Sequence, residues 1–225
     1  MSAVLELPKI DEKAIALAIE RRKRAVFYDV DWETYENLIE NYPTRRNPKI
    51  FYNRGILELM PLLEHDNYIR ILDEIFTVVA EEYGLDWENF GSATYKLEIF
   101  GRGFEPDSSY YVNENAGLMR GKKRFDLTVD PPPDLVFEID ITSSSINKFE
   151  MFAEFGVKEV WIYEDNRLKI LQLKETNYLE STRSIFLPTV TNAVLTQFFD
   201  ESQKMKRPEW RKKIRQLTNE NLKKQ

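Results

Sequence analysis

The 225-residue sequence contains no cysteine and a single histidine, His65. Without cysteine the chain cannot form disulfides, hold an iron–sulfur cluster or use a thiol nucleophile, and Cys/His zinc sites within one chain are excluded. A Ser-His-Asp triad could use only His65. Any bound metal must therefore be held mainly by oxygen atoms, which favours magnesium, manganese or calcium.

Glycine and long apolar runs are also scarce. The chain has eight glycines, and the GK[ST] sequence of a phosphate-binding loop is missing. The N-terminus lacks the charged start and apolar stretch of a signal peptide, and no apolar run approaches the ~20 residues that span a bilayer. We therefore expect a cytoplasmic protein without a membrane segment.

Basic charge is concentrated at the C-terminal end. Residues 204–225 carry nine basic and two acidic side chains, a net charge of +7. Because the whole chain has a net charge of −6, the other 203 residues carry a net charge of −13. An acidic body argues against nucleic-acid binding without a dedicated surface. The basic tail is either a solvated helix or a contact for a phosphate backbone, and Lys122-Lys123-Arg124 offers a second such contact.

Hydrophobic periodicity predicts both helices and strands along the chain, as in an α/β protein. Helices are predicted at 11–24, at 31–41 with Asp31 as cap, at 64–83 before Gly84, at 145–155, and over 192–225 with a break at Pro208. Strands are predicted as a hairpin around 53–55 and at 94–100, 107–112, 134–141, 159–164, 167–173 and 182–187, with a loop over 113–130.

Three carboxylates stand inside or beside apolar strands. Asp107 begins a strand after Pro106, and Glu138 and Asp140 share one face of the strand at 134–141. Two acids at positions i and i+2 on one face repel each other unless a divalent cation or a lysine lies between them. Lys148, on the following helix, is close enough in sequence to fold back over the strand end.

These are the parts of a phosphodiester-hydrolysing site, in which carboxylates hold Mg²⁺ and a lysine stabilises developing charge. Each part also has a structural alternative. Asp107 could cap its strand, Glu138 could pair with a basic side chain, Asp140 could bind a lysine, and Lys148 could be an ordinary surface lysine. For Asp134, which follows three prolines, a turn role is favoured over metal binding.

The segment PPPDLVFEIDITSSSINKFEMFAEFGVKEVWIYE (131–164) resembles the signature of the restriction-endonuclease-like family known as domain of unknown function 820. The order of helix 64–83, three strands, helix 145–155 and strand 159–164 is similar to the core of the PD-(D/E)XK nuclease superfamily. This resemblance implies an α/β fold with a central mixed sheet flanked by helices. The similarity continues through GILELMPLLEH (55–65) and EPD (105–107), and covers roughly residues 30–190.

The resemblance implies a role for each candidate residue. Asp107 and Glu138 would be catalytic metal ligands, and Asp140, which stands where the superfamily normally has its lysine, would assist as a metal ligand. Lys148 would replace that lysine, although Asn147 precedes it where relatives often carry an aspartate. Glu58 and His65 would lie at the edge of the site.

The resemblance also implies a Mg²⁺- or Mn²⁺-dependent nuclease whose expected substrate is DNA, and suggests a homodimer because double-strand cleavage takes two sites. It divides the chain into an N-terminal helical extension (1–30), a restriction-endonuclease-like domain (31–190) and a basic helical tail (191–225). The alternative is a catalytically inactive binding or assembly module that keeps the nuclease fold. A toxin or mobile-element nuclease would share the chemistry and differ only in biology.

Overall fold

The computed structural model describes residues 5–7, 24–41, 48–60, 66–140, 147–164 and 167–224. They belong to two compact units, each with its own six-stranded sheet. The first unit comprises Met1–Glu64, Thr94–Glu105 and Ser143–Met151, and the second comprises His65–Ala93, Pro106–Thr142 and Phe152–Gln225. Two sheets with helices confirm the α/β class.

The strands are, in chain order, β1 (Leu5–Leu7), β2 (Ala25–Phe27), β3 (Lys49–Asn53), β4 (Ile56–Met60), β5 (Trp87–Asn89), β6 (Tyr95–Leu97), β7 (Arg102–Phe104), β8 (Ser108–Val112), β9 (Leu135–Asp140), β10 (Glu159–Glu164), β11 (Arg167–Lys174) and β12 (Asn177–Ser181). The helices are α1 (Trp32–Asn41), α2 (Asp66–Tyr83), α3 (Glu114–Met119), α4 (Lys148–Phe155), α5 (Asn192–Ser202) and α6 (Arg207–Leu222).

The first unit packs α1 on a sheet of order β1-β2-β4-β3-β7-β6. Alternating residues of three strands meet Tyr35 and Leu38 of α1 in one buried core: Ala25, Phe27, Ile50, Tyr52, Leu57 and Leu59. The predicted cap is present, since the Thr34 N–H donates to Asp31 Oδ1 at 2.7 Å. The predicted hairpin is β3–β4, whose turn places Arg54 and Gly55 at positive φ.

The second unit contains the predicted mixed sheet, of order β12-β11-β10-β9-β8-β5, in which β9 and β10 run parallel and the other neighbours antiparallel. One face of β9 (Leu135, Phe137, Ile139) joins Trp161 in the core. The same core contains residues of α2 and of the C-terminal helices α5 and α6: Leu72, Ile75, Phe76, Val79, Phe198, Trp210 and Ile214.

Some predicted elements differ in the structure. The stretch at 113–130, expected to be a loop, contains the six-residue helix α3. Strand β6 stops at Leu97, and a 3-10 turn (Glu98–Phe100) completes the stretch predicted as strand. Pro208 stands in the first turn of α6, where a missing N–H costs nothing, so the helical tail is interrupted before this proline.

Residues 182–187, all of which the structure describes, form no strand. The carboxylate of Glu159 holds this segment, because it accepts the Ser184 hydroxyl at 2.6 Å and the Ile185 N–H at 2.7 Å. A strand would need the Ile185 N–H for its ladder.

The basic tail packs within the second unit. Trp210 and Ile214 of α6 are buried, and several of its cations pair with acids of the same unit: Arg207 with Glu74, Arg215 with Glu81 and Lys213 with Glu201. Lys122 of the basic loop pairs with Asp130.

Three sequence-based expectations remain predictions. The helix at 11–24 lies outside the described residues except for Arg24. The division at residues 30 and 190 also stays a prediction, as does the cytoplasmic location. Within the part of the chain that is described, no helix is both long and apolar enough to cross a bilayer.

Candidate active site

Asp107 and Glu138 face each other at one end of the β8–β9 pair. The antiparallel register joins Ser108 to Phe137, so one further step sets Asp107 opposite Glu138. Residues directly opposite in antiparallel strands share one face of the sheet, with Cβ atoms about 4.5–5.5 Å apart. The structure thus brings the two principal predicted ligands together.

Backbone hydrogen bonds hold both carboxylates. The Asp107 N–H donates to Glu138 Oε1 at 3.3 Å, and the Ile139 N–H donates to Asp107 Oδ2 at 2.7 Å. Glu138 is only 1% exposed. Because each strand supplies an N–H to the carboxylate of the other, the two acids are oriented by the sheet itself.

A third carboxylate, Asp73 of α2, approaches the start of β8. Its Oδ1 accepts the Tyr110 hydroxyl at 2.5 Å and the Ser108 hydroxyl at 2.8 Å. Burial raises the pKa of Asp73, these hydrogen bonds oppose the rise, and the charge of Asp107 adds to it. Negative charge is therefore crowded at this end of the sheet.

Sequence reasoning missed Asp73, although a signal was available. It lies four residues after Ile69 and three before Phe76, on the apolar face of the helix. A carboxylate on an apolar helix face calls for a buried partner.

Of two further predicted residues, Asp140 is placed only in part and His65 is not placed. Asp140 ends β9 opposite Glu164 of β10, and strand alternation puts it on the Glu138 face, but its side chain is outside the described residues. His65 lies wholly outside them. Their roles remain predictions.

Lys148 and Glu58 belong to the first unit. Lys148 begins α4, and its Nζ lies over the Phe51 ring, 4.7 Å from the centroid. Glu58 is opposite Phe51 in the β3–β4 register, is fully buried and pairs with Arg24 at 2.5 Å. The sheet of this unit therefore gathers these two predicted residues on the face that carries Phe51.

Asn147 and Asp134 have local structural roles. Asn147 stands just before α4 and its Oδ1 accepts the Glu150 N–H at 3.3 Å, as a helix cap does. Asp134 accepts the Val112 N–H at 2.9 Å, the Asn115 amide at 2.9 Å and the Lys158 ammonium at 2.7 Å. These contacts agree with the turn role favoured for Asp134.

The donor set at the end of β8 and β9 suits a hard divalent cation. Asp107 and Glu138 offer oxygen ligands, and Mg²⁺ in proteins is commonly held by one or two carboxylates while it keeps several waters. Among the residues that the structure describes, no group of three or more His, Cys, Asp or Glu comes together as a metal site. A cation held by Asp107 and Glu138 would take its remaining oxygen ligands from water or from groups outside this pair.

Comparison with protein-family models agrees with the motif. The family model Uma2, described as "Putative restriction endonuclease", matches residues 32–201. A solved structure described as a putative nuclease of domain of unknown function 820, from Anabaena variabilis, is similar at 14% identity and a TM-score of 0.44. That match covers 67% of this chain and 90% of the other. No curated protein matches the chain in sequence.

Proposed function

Because this chain belongs to the restriction-endonuclease-like family Uma2, we propose that it is a Mg²⁺- or Mn²⁺-dependent nuclease that hydrolyses phosphodiester bonds in DNA. The observation that supports this most is the opposition of Asp107 and Glu138 across β8 and β9, each held by an N–H of the other strand. Glu138 is buried and Asp107 is partly buried, and two carboxylates oriented side by side offer the oxygen ligands that a hard divalent cation takes.

Asp107 and Glu138 would hold the cation, and Asp140 would add an oxygen from the same strand face. The cation, when bound, polarises the scissile phosphate and lowers the pKa of an attacking water. The N–H groups of Asp107 and Ile139 keep the carboxylates aimed during the reaction. The Lys148 ammonium would stabilise the negative charge that develops on the phosphate.

A binding or assembly module with the same fold is the second candidate. Asp140 supports it, because this acid occupies the place where the superfamily normally has its lysine. The ion pairs that engage Arg207, Lys213 and Arg215 of the basic tail also support it, since they occupy cations that a phosphate backbone would need.

Glu138→Gln tests the nuclease site, with Glu159→Gln as a matched control. Both positions are buried strand carboxylates of the second unit, and only Glu138 lies opposite Asp107. Cleavage of plasmid and single-stranded DNA is measured with Mg²⁺ and with Mn²⁺, beside calorimetric metal titrations. We expect Glu138→Gln to lower the cleavage rate at least about 100-fold, since even indirect supports of metal ligands cost 10–100-fold.

A folded Glu138→Gln protein that cleaves DNA at the wild-type rate would refute the site assignment. A wild-type protein that neither cleaves DNA nor binds Mg²⁺ in the titration would refute the nuclease proposal and favour the binding module. The control variant should retain the wild-type rate, provided that its unfolding curve shows it folded.

A further inference from the structure

The Lys148 ammonium has an aromatic platform beneath it. Its Nζ is 4.7 Å from the centroid of the Phe51 ring, within the ~6 Å at which a cation is attracted to an aromatic face. A lysine side chain has four flexible carbon–carbon bonds, so an attractive surface under its end restricts where the charge can be. Phe51 itself is fully buried.

Neighbouring strands hold the Phe51 ring on both sides. Glu58 of β4 is directly opposite, and its carboxylate is tied to Arg24 at 2.5 Å. On the other side the register of Tyr52 with Gly103 sets Phe104 of β7 opposite Phe51, and Phe104 stacks on Tyr95 with ring centroids 5.3 Å apart. A ring packed between fixed neighbours makes a rigid support.

A second contact ties down the helix turn that carries Lys148. Glu150, the third residue of α4, pairs with Arg102 of β7 at 2.5 Å, while Asn147 caps the turn. Arg102 is 2% exposed and Glu150 is 58% exposed, so a buried guanidinium reaches out to an accessible carboxylate. Arg102 holds the pKa of Glu150 below its usual range, which keeps the pair ionised.

We propose that Phe51 is a positioning residue for the Lys148 ammonium, and that the Arg102–Glu150 pair fixes the α4 turn from which Lys148 extends. The sheet of the first unit thereby presents one lysine in a defined place. The catalytic consequence rests on the proposed function of Lys148, whereas the positioning itself can be measured independently.

A packing role for Phe51 and a role in positioning the Lys148 ammonium require different side chains at residue 51. An aliphatic side chain would cover the methylene groups of Lys148 as well as a ring does, but would not attract the ammonium. Phe51→Leu therefore removes the attraction, and Phe51→Tyr restores a ring at the same place. A role in packing alone predicts no such rescue.

The first test is spectroscopic and needs no enzymatic activity. Protein labelled with ¹³C at the ε-carbon of lysine is compared by NMR, with Lys148→Arg used to assign the signal. A methylene held over a ring is shifted upfield by the ring current. We expect this shift in wild type and Phe51→Tyr, and an ordinary lysine position in Phe51→Leu. A Lys148 signal without the shift in wild type would overturn the proposal.

The second test is kinetic. We expect Phe51→Leu to lower kcat about 2–30-fold with KM nearly unchanged, the range that corresponds to the usual strength of a cation–π contact. Phe51→Tyr should return kcat to near the wild-type value. A folded Phe51→Leu enzyme with wild-type kcat would overturn the positioning role. If wild type cleaves no DNA, the proposed function fails while the NMR comparison still decides whether Phe51 positions Lys148.

Glu150→Gln is a second variant that tests the proposal if Phe51→Leu does not fold. This substitution removes the ion pair with Arg102 and changes a residue that is accessible to solvent. It should move the Lys148 signal toward the ordinary lysine position and lower kcat at least about 2-fold, the lower end of the same range. Unchanged signal and unchanged kcat would contradict the proposal. The signal of a lysine in the second unit, such as Lys169, serves as the internal reference.

Discussion

Gly103 lies where β7 passes the ring of Tyr35. A Cβ added at this glycine would be 2.0 Å from the Tyr35 hydroxyl oxygen and 2.7 Å from the ring carbon that bears it. Tyr35 cannot move aside easily, because it is fully buried and stacks on Tyr52 with ring centroids 4.7 Å apart. The missing side chain is thus what lets α1 approach the sheet.

We expect Gly103→Ala to lower the free energy of unfolding by about 1–3 kcal/mol or more, the usual cost of an overpacked core. Gly117→Ala is the matched control, since an added Cβ there meets no described atom within 4 Å and the residue is helical. The control should be neutral or stabilising by up to about 1 kcal/mol. Urea unfolding measures the free energy of unfolding of each variant. Equal values for Gly103→Ala and Gly117→Ala would contradict the crowding at Gly103.

Asp107 and Glu138, which the structure brings together, stand out in the sequence, whereas Asp73 and Glu159 do not. Glu138 interrupts an apolar strand, which is a visible conflict within a few residues. Glu159 begins its strand and resembles an ordinary terminal acid. Two of its partners, Ser184 and Ile185, are more than 20 residues away, and periodicity carries no information about them.

Among the elements, α6 illustrates two forces of different size. Its cations form ion pairs with acids of α2, such as Arg215 with Glu81 at 2.7 Å, where both side chains are more than 40% exposed. Trp210 is fully buried instead, and its indole N–H donates to the Phe198 carbonyl at 2.8 Å. Exposed pairs contribute about 0–1 kcal/mol, whereas a buried tryptophan contributes several times more.

We therefore expect Trp210→Ala to cost about 3–5 kcal/mol of unfolding free energy and Arg215→Gln less than about 1 kcal/mol. Urea unfolding at low and at 0.5 M salt distinguishes them further, because only the Arg215 effect should shrink as salt rises. A larger loss from Arg215→Gln than from Trp210→Ala would show that charge, not apolar burial, attaches α6.

Elements that end on local signals were predicted well. The Asp31 cap, the turn at Gly55 and the end of α2 before Gly84 depend on residues next to the element itself. The segment at 182–187 has the composition of a strand, but its Ile185 N–H donates to the distant carboxylate of Glu159. Helix α3 was missed because it is too short to produce a periodic pattern. The division into two sheets was not predicted, because the segments of the two units alternate along the chain.

At the scale of the whole molecule, buried acids shape the response to pH. Burial raises the pKa of Asp73, Glu105 and Glu159 above their ordinary values. Such a group binds its proton more tightly in the folded than in the unfolded protein. Its stabilising contribution is complete below the unfolded pKa and is lost as the pH rises through the folded pKa.

Glu159→Gln should remove the contribution of Glu159 to the pH dependence of the unfolding free energy. Relative to the variant, wild type should lose unfolding free energy as the pH rises from the ordinary glutamate value of 4.5 through the raised folded pKa of Glu159. Glu150→Gln should show the opposite sign, since Arg102 lowers the pKa of Glu150 and its contribution is lost as the pH falls. Thermal unfolding across this pH range provides the comparison, and a pH-independent difference for Glu159→Gln would contradict the assignment.

The alternation of the two units along the chain has a consequence for synthesis on the ribosome. The first unit needs residues from Met1–Glu64 and also from Ser143–Met151, the last of which is translated 87 positions after Glu64. At about 5–20 residues per second, that interval is roughly 4–17 s. During it the core between α1 and strands β2–β4 can already form, because its residues lie within 25–59, but Phe51 on the other face of the sheet still lacks Lys148. Chaperones that bind nascent chains should therefore matter more for this protein than for one whose domains are contiguous.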